Sequence, residues 1–495
     1  MRRRAWTWLS LGAALLLAVV LYASTFVVSY GDLLRRQDPM LAADVARIAP
    51  ARVAAVAAAR DVEQLQAVLR DARQRGLKVS VAGSRHSQGG HTYTAGGVVL
   101  SMRTFNRVLA IDTITPAITV QSGATWDEVQ RALAPHRLAL KVMQSSNIFT
   151  VGGTLSANAH GRDVDVMQVV EVVQRFRLLL ADGSVVEVSR TQHPELFGLV
   201  IGGYGMYGVI LDVTLRVTRD ELYEQNAVAM DYAAFPTYFA QHVAADSDVA
   251  LLLVRPSIDP SPDAFLRELV VVTWRRAQPG ADASFALTEE AHVWRDRFFL
   301  ELSRRYDWAK RWRWSLQKQI ELGAGEHRVV SRNNAMRPPL APLELLQYHS
   351  RRNTDIIQEY YVPVENFVPF MDRFREILLT GKMNVISSTV RYVAPNATPV
   401  LAYAPKRPAF AIIQMSNVGL SAAAQARARD VTRQLVDAAI DLGGTYYLTY
   451  QLYPTAAQLH RAYPNARRAF DRKRFYDPTE LFSSQFYEAY GHTPD

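Results

Sequence analysis

From Trp6 to Tyr30 the sequence carries no Asp, Glu, Lys, Arg or His, and this run constrains the fold more than any other feature. A bilayer-spanning helix needs about 20 mostly apolar residues, whereas the apolar part of a signal peptide has about 7–15 and ends at a small-residue cleavage site. No clear Ala-x-Ala follows, so residues 1–31 read as one transmembrane anchor, with a cleaved signal and a buried N-terminal helix as the alternatives. Trp6, Trp8, Tyr22 and Tyr30 suit interfacial rings near the ends of such a span. Arg2, Arg3 and Arg4 favour a cytoplasmic N-terminus, which puts the globular part on the other side, while Arg35 and Arg36 pull the opposite way.

The remaining chain has the balance of a folded protein. With 49% hydrophobic and 21% charged residues it excludes disordered, collagen-like and low-complexity classes. Its 495 residues suggest about two to four domains. Cys is 0, which removes disulfide frameworks, zinc ribbons, iron–sulfur clusters and thiol nucleophiles, so redox chemistry has to come from a bound cofactor. The net charge of +9 is spread along the chain, and no clustered basic signal for nucleic acid is present. Outside the glycine-rich segments the histidines show neither HxxxH nor HxH spacing, and no metal site is expected.

Helical spacing in DVEQLQAVLRDARQRG is followed by the strand LKVSVAG and by short β-rich runs, GGVVLSM, VLAIDT and AITVQSG. TWDEVQRALAPHR opens with a capping box, Thr125 and Glu128. RFRLLLADGSVVEVS reads as a hairpin turning at Asp182-Gly183, and GVILDVTLRVT closes this region near Thr218. Residues 220–440 read as a second α+β domain, with a basic aromatic stretch over 294–321 and strands at IIQEYYVP, VISSTVRYV and AFAIIQM. Trp308, Trp312 and Trp314 are either membrane-surface anchors or core residues of that domain. Residues 441–495 form a helix-rich tail.

Three segments of small residues stand out: Val81-Ala-Gly-Ser-Arg-His-Ser-Gln-Gly-Gly90, Asn147 to Gly161 (NIFTVGGTLSANAHG), and Gly202 to Gly208 (GGYGMYG). Each allows close approach of backbone to an anion or a flat ring, and each alone reads more readily as a tight turn. None is G-x-G-x-x-G or G-x-x-x-x-G-K-[ST], so neither a Rossmann site nor a P-loop is expected.

In this order and spacing the three segments resemble the PCMH-type FAD domain of the vanillyl-alcohol-oxidase superfamily, and in particular the alditol and aldonolactone oxidases and decaprenylphosphoryl-ribose oxidase. The resemblance covers residues 50–219 and the tail RRAFDRKRFYDPTELF. It implies an α+β fold with a two-subdomain FAD-binding domain over 50–219, a substrate cap over 220–440, and a C-terminal segment, 441–495, returning to the FAD domain. Carried over, Gly83, Ser84, Arg85, His86 and Ser87 wrap the FAD pyrophosphate, with Ser145, Thr150, Gly152, Gly153 and Thr154 nearby. Asn158, His160 and Gly161 continue that wall, Val209 faces the adenine or ring region, and Tyr447 matches a flavin-contacting tyrosine. His86, in the R-H-S context, is the candidate for a covalent flavin link, because a neutral imidazole nitrogen is nucleophilic. His91, in a Gly-Gly-His context, is its rival, and non-covalent FAD is the third reading.

For catalysis, strand alternation puts Glu359 and Tyr361 on one face and Gln358 and Tyr360 on the other. The resemblance makes Glu359 an active-site acid or amide and Arg391 a cation near the flavin. Tyr450 stands where the lipid-sugar and polyol oxidases have a lysine, so a share in proton removal falls to Glu359 and Tyr450. The implied activity is oxidation of an alcohol carbon in a sugar, polyol, lactone or lipid-linked sugar, with oxygen, a quinone or a partner as acceptor. A flavin dehydrogenase for an unrelated alcohol or hydroxy acid, and a non-catalytic protein of the same fold, are the alternatives.

Overall fold

The computed structural model describes residues 2–31, 38–278, 284–324, 328–337, 348 and 350–492; Arg35, Arg36, His327 and His349 lie outside them. The apolar run is helical, as its composition requires: α1 covers Arg2–Gly31. Ser10–Tyr30 is long and apolar enough to cross a membrane. The aromatic residues at its C-terminal end do not project freely. Tyr22 and Phe26 meet Phe298 edge-on at 5.3 and 5.4 Å, and Tyr30 is buried with its hydroxyl accepting from Arg304 at 2.9 Å.

Residues 55–219 build two sheets. In the first, β1 (Ala55–Ala58) and β2 (Val79–Ala82) both pair in parallel with β3 (Val98–Ser101), so β3 is central. The crossover from β1 to β2 is α2 (Val62–Gln74), whose Leu65, Leu69 and Ala72 recur at helical spacing and are buried. Gly76 follows at φ 65°, a conformation that glycine adopts without a Cβ penalty. The second sheet is antiparallel. It contains β4 (Val108–Asp112), β5 (Ala117–Gln121), β6 (Leu138–Leu140), β7 (Val173–Leu179), β8 (Val185–Ser189) and β9 (Val209–Arg219), in the order β8-β7-β9-β5-β4 with β6 on the far end of β9. The β7–β8 hairpin turns at Asp182-Gly183, with Gly183 at φ 92°. Between β5 and β6, α3 (Trp126–Leu133) carries the Thr125/Glu128 capping box, and between β6 and β7 lies α4 (Val151–Ala157).

The third sheet is larger. Its eight strands are β10 (Leu222–Asp231), β11 (Val249–Pro256), β12 (Glu268–Arg276), β13 (Val329–Ser331), β14 (Asn353–Pro363), β15 (Asn384–Val393), β16 (Ala409–Gly419) and β17 (Thr445–Tyr446), ordered β13-β10-β12-β11-β15-β16-β14-β17. The expected boundary at residue 441 is crossed here, because Thr445 and Tyr446 pair with Tyr361 and Tyr360 as an edge of this sheet. Only afterwards does the tail return: Leu481 O accepts from Val79 N at 2.7 Å and Ser483 N donates to Val79 O at 3.0 Å, alongside β2. A buried Lys473–Asp477 pair fixes that return, with Asp477 also accepting from the Leu481 and Phe482 amides.

The basic aromatic stretch forms two helices, α5 (Val293–Arg305) and α6 (Asp307–Ala324). Of its tryptophans, Trp314 is buried, with Nε1 donating to Glu268 at 3.1 Å, whereas Trp308 and Trp312 are exposed. The core reading therefore holds for Trp314 and not for Trp308 or Trp312.

Candidate active site

The loop that follows β2 and the segment around α4 close on one another. At Gly83 an added Cβ would lie 2.0 Å from Thr150 Oγ1, so only glycine lets the two backbones approach this closely. Thr150 caps α4 by accepting from Gly153 N, and Gly152 packs on Ser122, where a Cβ would meet Ser122 Cβ at 2.7 Å. Next to Gly83, Arg85 adopts φ 57°, the left-handed region that non-glycine residues seldom occupy and that functional loops tolerate.

These segments wall one side of a cavity of about 390 Å³, and strands of the third sheet wall the other. Every cofactor-binding candidate lines it except Asn158, Gly161 and Val209, and every catalytic candidate except Tyr361. The four exceptions have structural work. Asn158 is the left-handed C-cap of α4 and binds Gln168 and Val170 N with its side-chain amide. Gly161 sits 2.8 Å, by its would-be Cβ, from Met143 O, and Val209 is buried in the core between the first two sheets. Tyr361 stacks on Tyr403 at 4.2 Å, behind the His160 ring.

Residues that line the cavity carry buried polar atoms with few partners: Ser87 Oγ and Ser122 Oγ make no hydrogen bond, and the only polar partner of the His86 ring is the backbone at Ser84. Buried polar groups are ordinarily satisfied, so this set fits a polar ligand with several acceptors and donors. Burial pushes the His86 imidazole down to about 4, against a smaller opposing effect of the Ser84 backbone, and the ring is neutral at physiological pH. His86 leans against Phe149 at 4.6 Å. His91 also lines the cavity but is clamped between Tyr204 at 5.0 Å and Phe486 at 4.8 Å, and burial pushes it down to about 3.

At the third sheet, Glu359 on β14 meets His160 beyond α4: Glu359 Oε1 and His160 Nε2 are 2.5 Å apart, each side chain 2% exposed. Tyr450 donates to the other carboxylate oxygen at 3.3 Å. Burial, then Glu359, raises the Tyr450 phenol well above its usual value, so this hydroxyl stays protonated. That direction is the reverse of what a base requires; the Tyr450 hydroxyl acts as a hydrogen-bond donor to Glu359. Arg391 on β15 donates to His160 O at 3.2 Å and to Ser145 Oγ. Tyr447 donates to Ala157 O at 2.9 Å.

Two arginines missing from the sequence reading join Arg391 in the wall. Arg162 directly follows the second glycine-rich segment, a position that could have drawn attention; Arg255 lies near the end of β11 with no local signal. Burial, then Arg255 and Arg391, pushes the Arg162 guanidinium down to about 9, which leaves it charged at neutral pH. Arg255 is paired with Glu321 at 3.1 Å.

Against known proteins, residues 53–189 match the model of the FAD binding domain family. The chain is 32% identical over 178 residues to decaprenylphosphoryl-beta-D-ribose oxidase of Mycolicibacterium smegmatis, covering 35% of this chain and 38% of that protein. It is 32% identical over 155 residues to L-gulonolactone oxidase of Bos taurus, covering 31% and 35%, and 29% identical over 170 residues to the mitochondrial L-galactono-1,4-lactone dehydrogenase of Arabidopsis thaliana, covering 34% and 28%. The matches thus span under two fifths of the length of these relatives.

The His91 shift has a measurable consequence. Its folded value lies below the ordinary 6.5, so the unfolded chain binds the proton more readily and stability falls as pH drops through 6.5 towards 3. The loss is up to about 1.4 kcal/mol per pH unit for one such group. Urea unfolding between pH 7 and 5 should show a shallower pH slope for His91→Asn than for wild type; equal slopes would contradict the assignment.

Proposed function

We propose, from an FAD-binding domain in residues 53–189, that the whole chain is a membrane-anchored flavin oxidoreductase that oxidises the alcohol carbon of a sugar, polyol, lactone or lipid-linked sugar. In this reading the first two sheets are the two halves of the FAD domain, and the third sheet is the substrate cap. The observation that carries it is the cavity itself, in which the glycine-rich walls, with His160, stand on one side and Glu359 and Arg391 on the other.

FAD, when bound, supplies a two-electron acceptor for hydride from the carbon bearing the hydroxyl. The chain's part is to hold the substrate and to move its proton. Glu359 is the base: its Oε2 receives the hydroxyl proton, its Oε1 is held by His160 Nε2, and Tyr450 keeps the carboxylate aimed. Arg391, fixed by Ser145 and the His160 carbonyl, orients the substrate hydroxyl. His86 is the residue for a covalent flavin bond, being neutral and free of side-chain hydrogen bonds, whereas His91 is held between two rings. Arg162 beside Arg391 favours a substrate that carries an anionic group, as a phosphoryl-linked lipid sugar does. With α1 in a bilayer, a quinone is as accessible an acceptor as oxygen.

Anaerobic mixing of the holoprotein with free polyols, aldonolactones and prenyl-phosphoryl sugars should bleach the flavin with at least one class. Glu359→Gln should slow that bleaching by about 10²–10⁴-fold while keeping the flavin. Loss of flavin without a slower step, or no bleaching by any class, would count against the reading. Acid precipitation should leave yellow colour in the wild-type pellet and release it from His86→Ala; release from both would remove the covalent bond.

A further inference from the structure

Helices α5 and α6 have their polarity turned outside in. On α6, Trp308, Trp312, Leu316 and Ile320 follow one another at four-residue spacing, and they are 54%, 44%, 39% and 58% exposed. Residues four apart share a helix face, so these four form one continuous apolar stripe in solvent. The inner face of the same helix carries the polar groups: Arg313 donates to Ile386 O at 2.8 Å, Lys318 pairs with Glu268, and Glu321 pairs with Arg255. On α5, Trp294 is 59% exposed, while Arg297, Glu301 and Arg304 are buried alongside Leu300. Water-soluble surface helices show the reverse arrangement, and an apolar stripe of this length on a soluble face signals a binding surface.

The position of α1 says what covers it. The apolar span Ser10–Tyr30 ends at Tyr30, so Tyr22–Tyr30 are its last turns, next to the bilayer surface. Those turns are the ones that pack on this pair of helices: Tyr22 and Phe26 on Phe298, and Phe26 and Tyr30 on Trp294 at 6.2 and 6.1 Å. Arg304 ties Tyr30 to Asp355 on β14. Phe299 then contacts Trp312 at 5.0 Å, which continues the apolar surface from α1 through α5 to the stripe on α6. Arg305 and Arg311 are exposed beside it, with Asp307 as the one acidic neighbour on the first turn. Exposed aromatics flanked by arginines are the composition of a helix lying in the headgroup layer.

We infer that the exposed face of α5 and α6 is embedded in the bilayer surface next to α1, with Trp294, Trp308, Trp312, Leu316 and Ile320 in lipid. The inference rests on the reading of α1 as a membrane anchor. It also sets the substrate wall close to the lipid, because the helix that presents the stripe holds Arg255 in the cavity through Glu321.

The chain has no cysteine, so single Cys substitutions can be labelled uniquely with a nitroxide in the full-length holoprotein. In nanodiscs of phosphatidylcholine and phosphatidylglycerol, labels at Leu316→Cys and Ile320→Cys should be relaxed strongly by oxygen and weakly by a water-soluble nickel chelate. Leu16→Cys on α1 should behave alike, and Ile114→Cys, 92% exposed on the turn between β4 and β5, should show the opposite order. Labels at 316 and 320 that respond like the one at 114 would overturn the inference. Shielding of both from both reagents would overturn it too, since a protein or a second copy would then cover the stripe. If Leu16 alone is lipid-facing, the anchor stands and the inference fails; if Leu16 also reads as aqueous, the anchor fails with it.

Discussion

A histidine and a carboxylate from different parts of the chain, 2.5 Å apart and almost wholly out of water, hold the site together. Removing one partner of such a buried hydrogen bond costs about 1–3 kcal/mol, because the other is left unsatisfied. His160 brings α4 and the glycine-rich loop behind it; Glu359 brings β14 and the third sheet. The cavity exists where this contact sets the spacing between the two walls. The same strand is fixed at its other end, where Asp355 takes a bidentate contact from Arg304 and a hydrogen bond from Asn417 at 2.7 Å. One strand therefore carries both the carboxylate that meets His160 and the anchor point of the N-terminal helix.

What the sequence made legible was local. The capping box at Thr125, the Asp182-Gly183 turn and the period-two alternation around Glu359 each depend on neighbours within a few residues, and they appear as expected. The glycine-rich segments were legible as places of close approach, though only the fold shows that Gly83 answers to Thr150 and Gly152 to Ser122. The alternation put Tyr361 on the Glu359 face, but it could not reveal the Tyr403 ring that stacks on it. Asn158 and Gly161 lie inside a motif that does line the cavity, and their own roles are a helix cap and a backbone packing contact.

Long-range electrostatics were the least legible. Arg255 carries no signal in its strand, and its place beside Arg162 and Arg391 comes from pairing across the third sheet. The direction of the Tyr450 shift likewise depends on burial and on Glu359, neither of which composition or spacing encodes. The outward apolar stripe on α6 is visible only once Arg313 and Glu321 are seen to point inward.

The measurement that bears most directly on this account is the flavin stoichiometry of the full-length protein, from its visible absorption after purification and again after incubation with FAD. The account predicts one FAD per chain, lost or strongly reduced when Gly83→Val drives a side chain into Thr150. A protein that is colourless and takes up no FAD would contradict it.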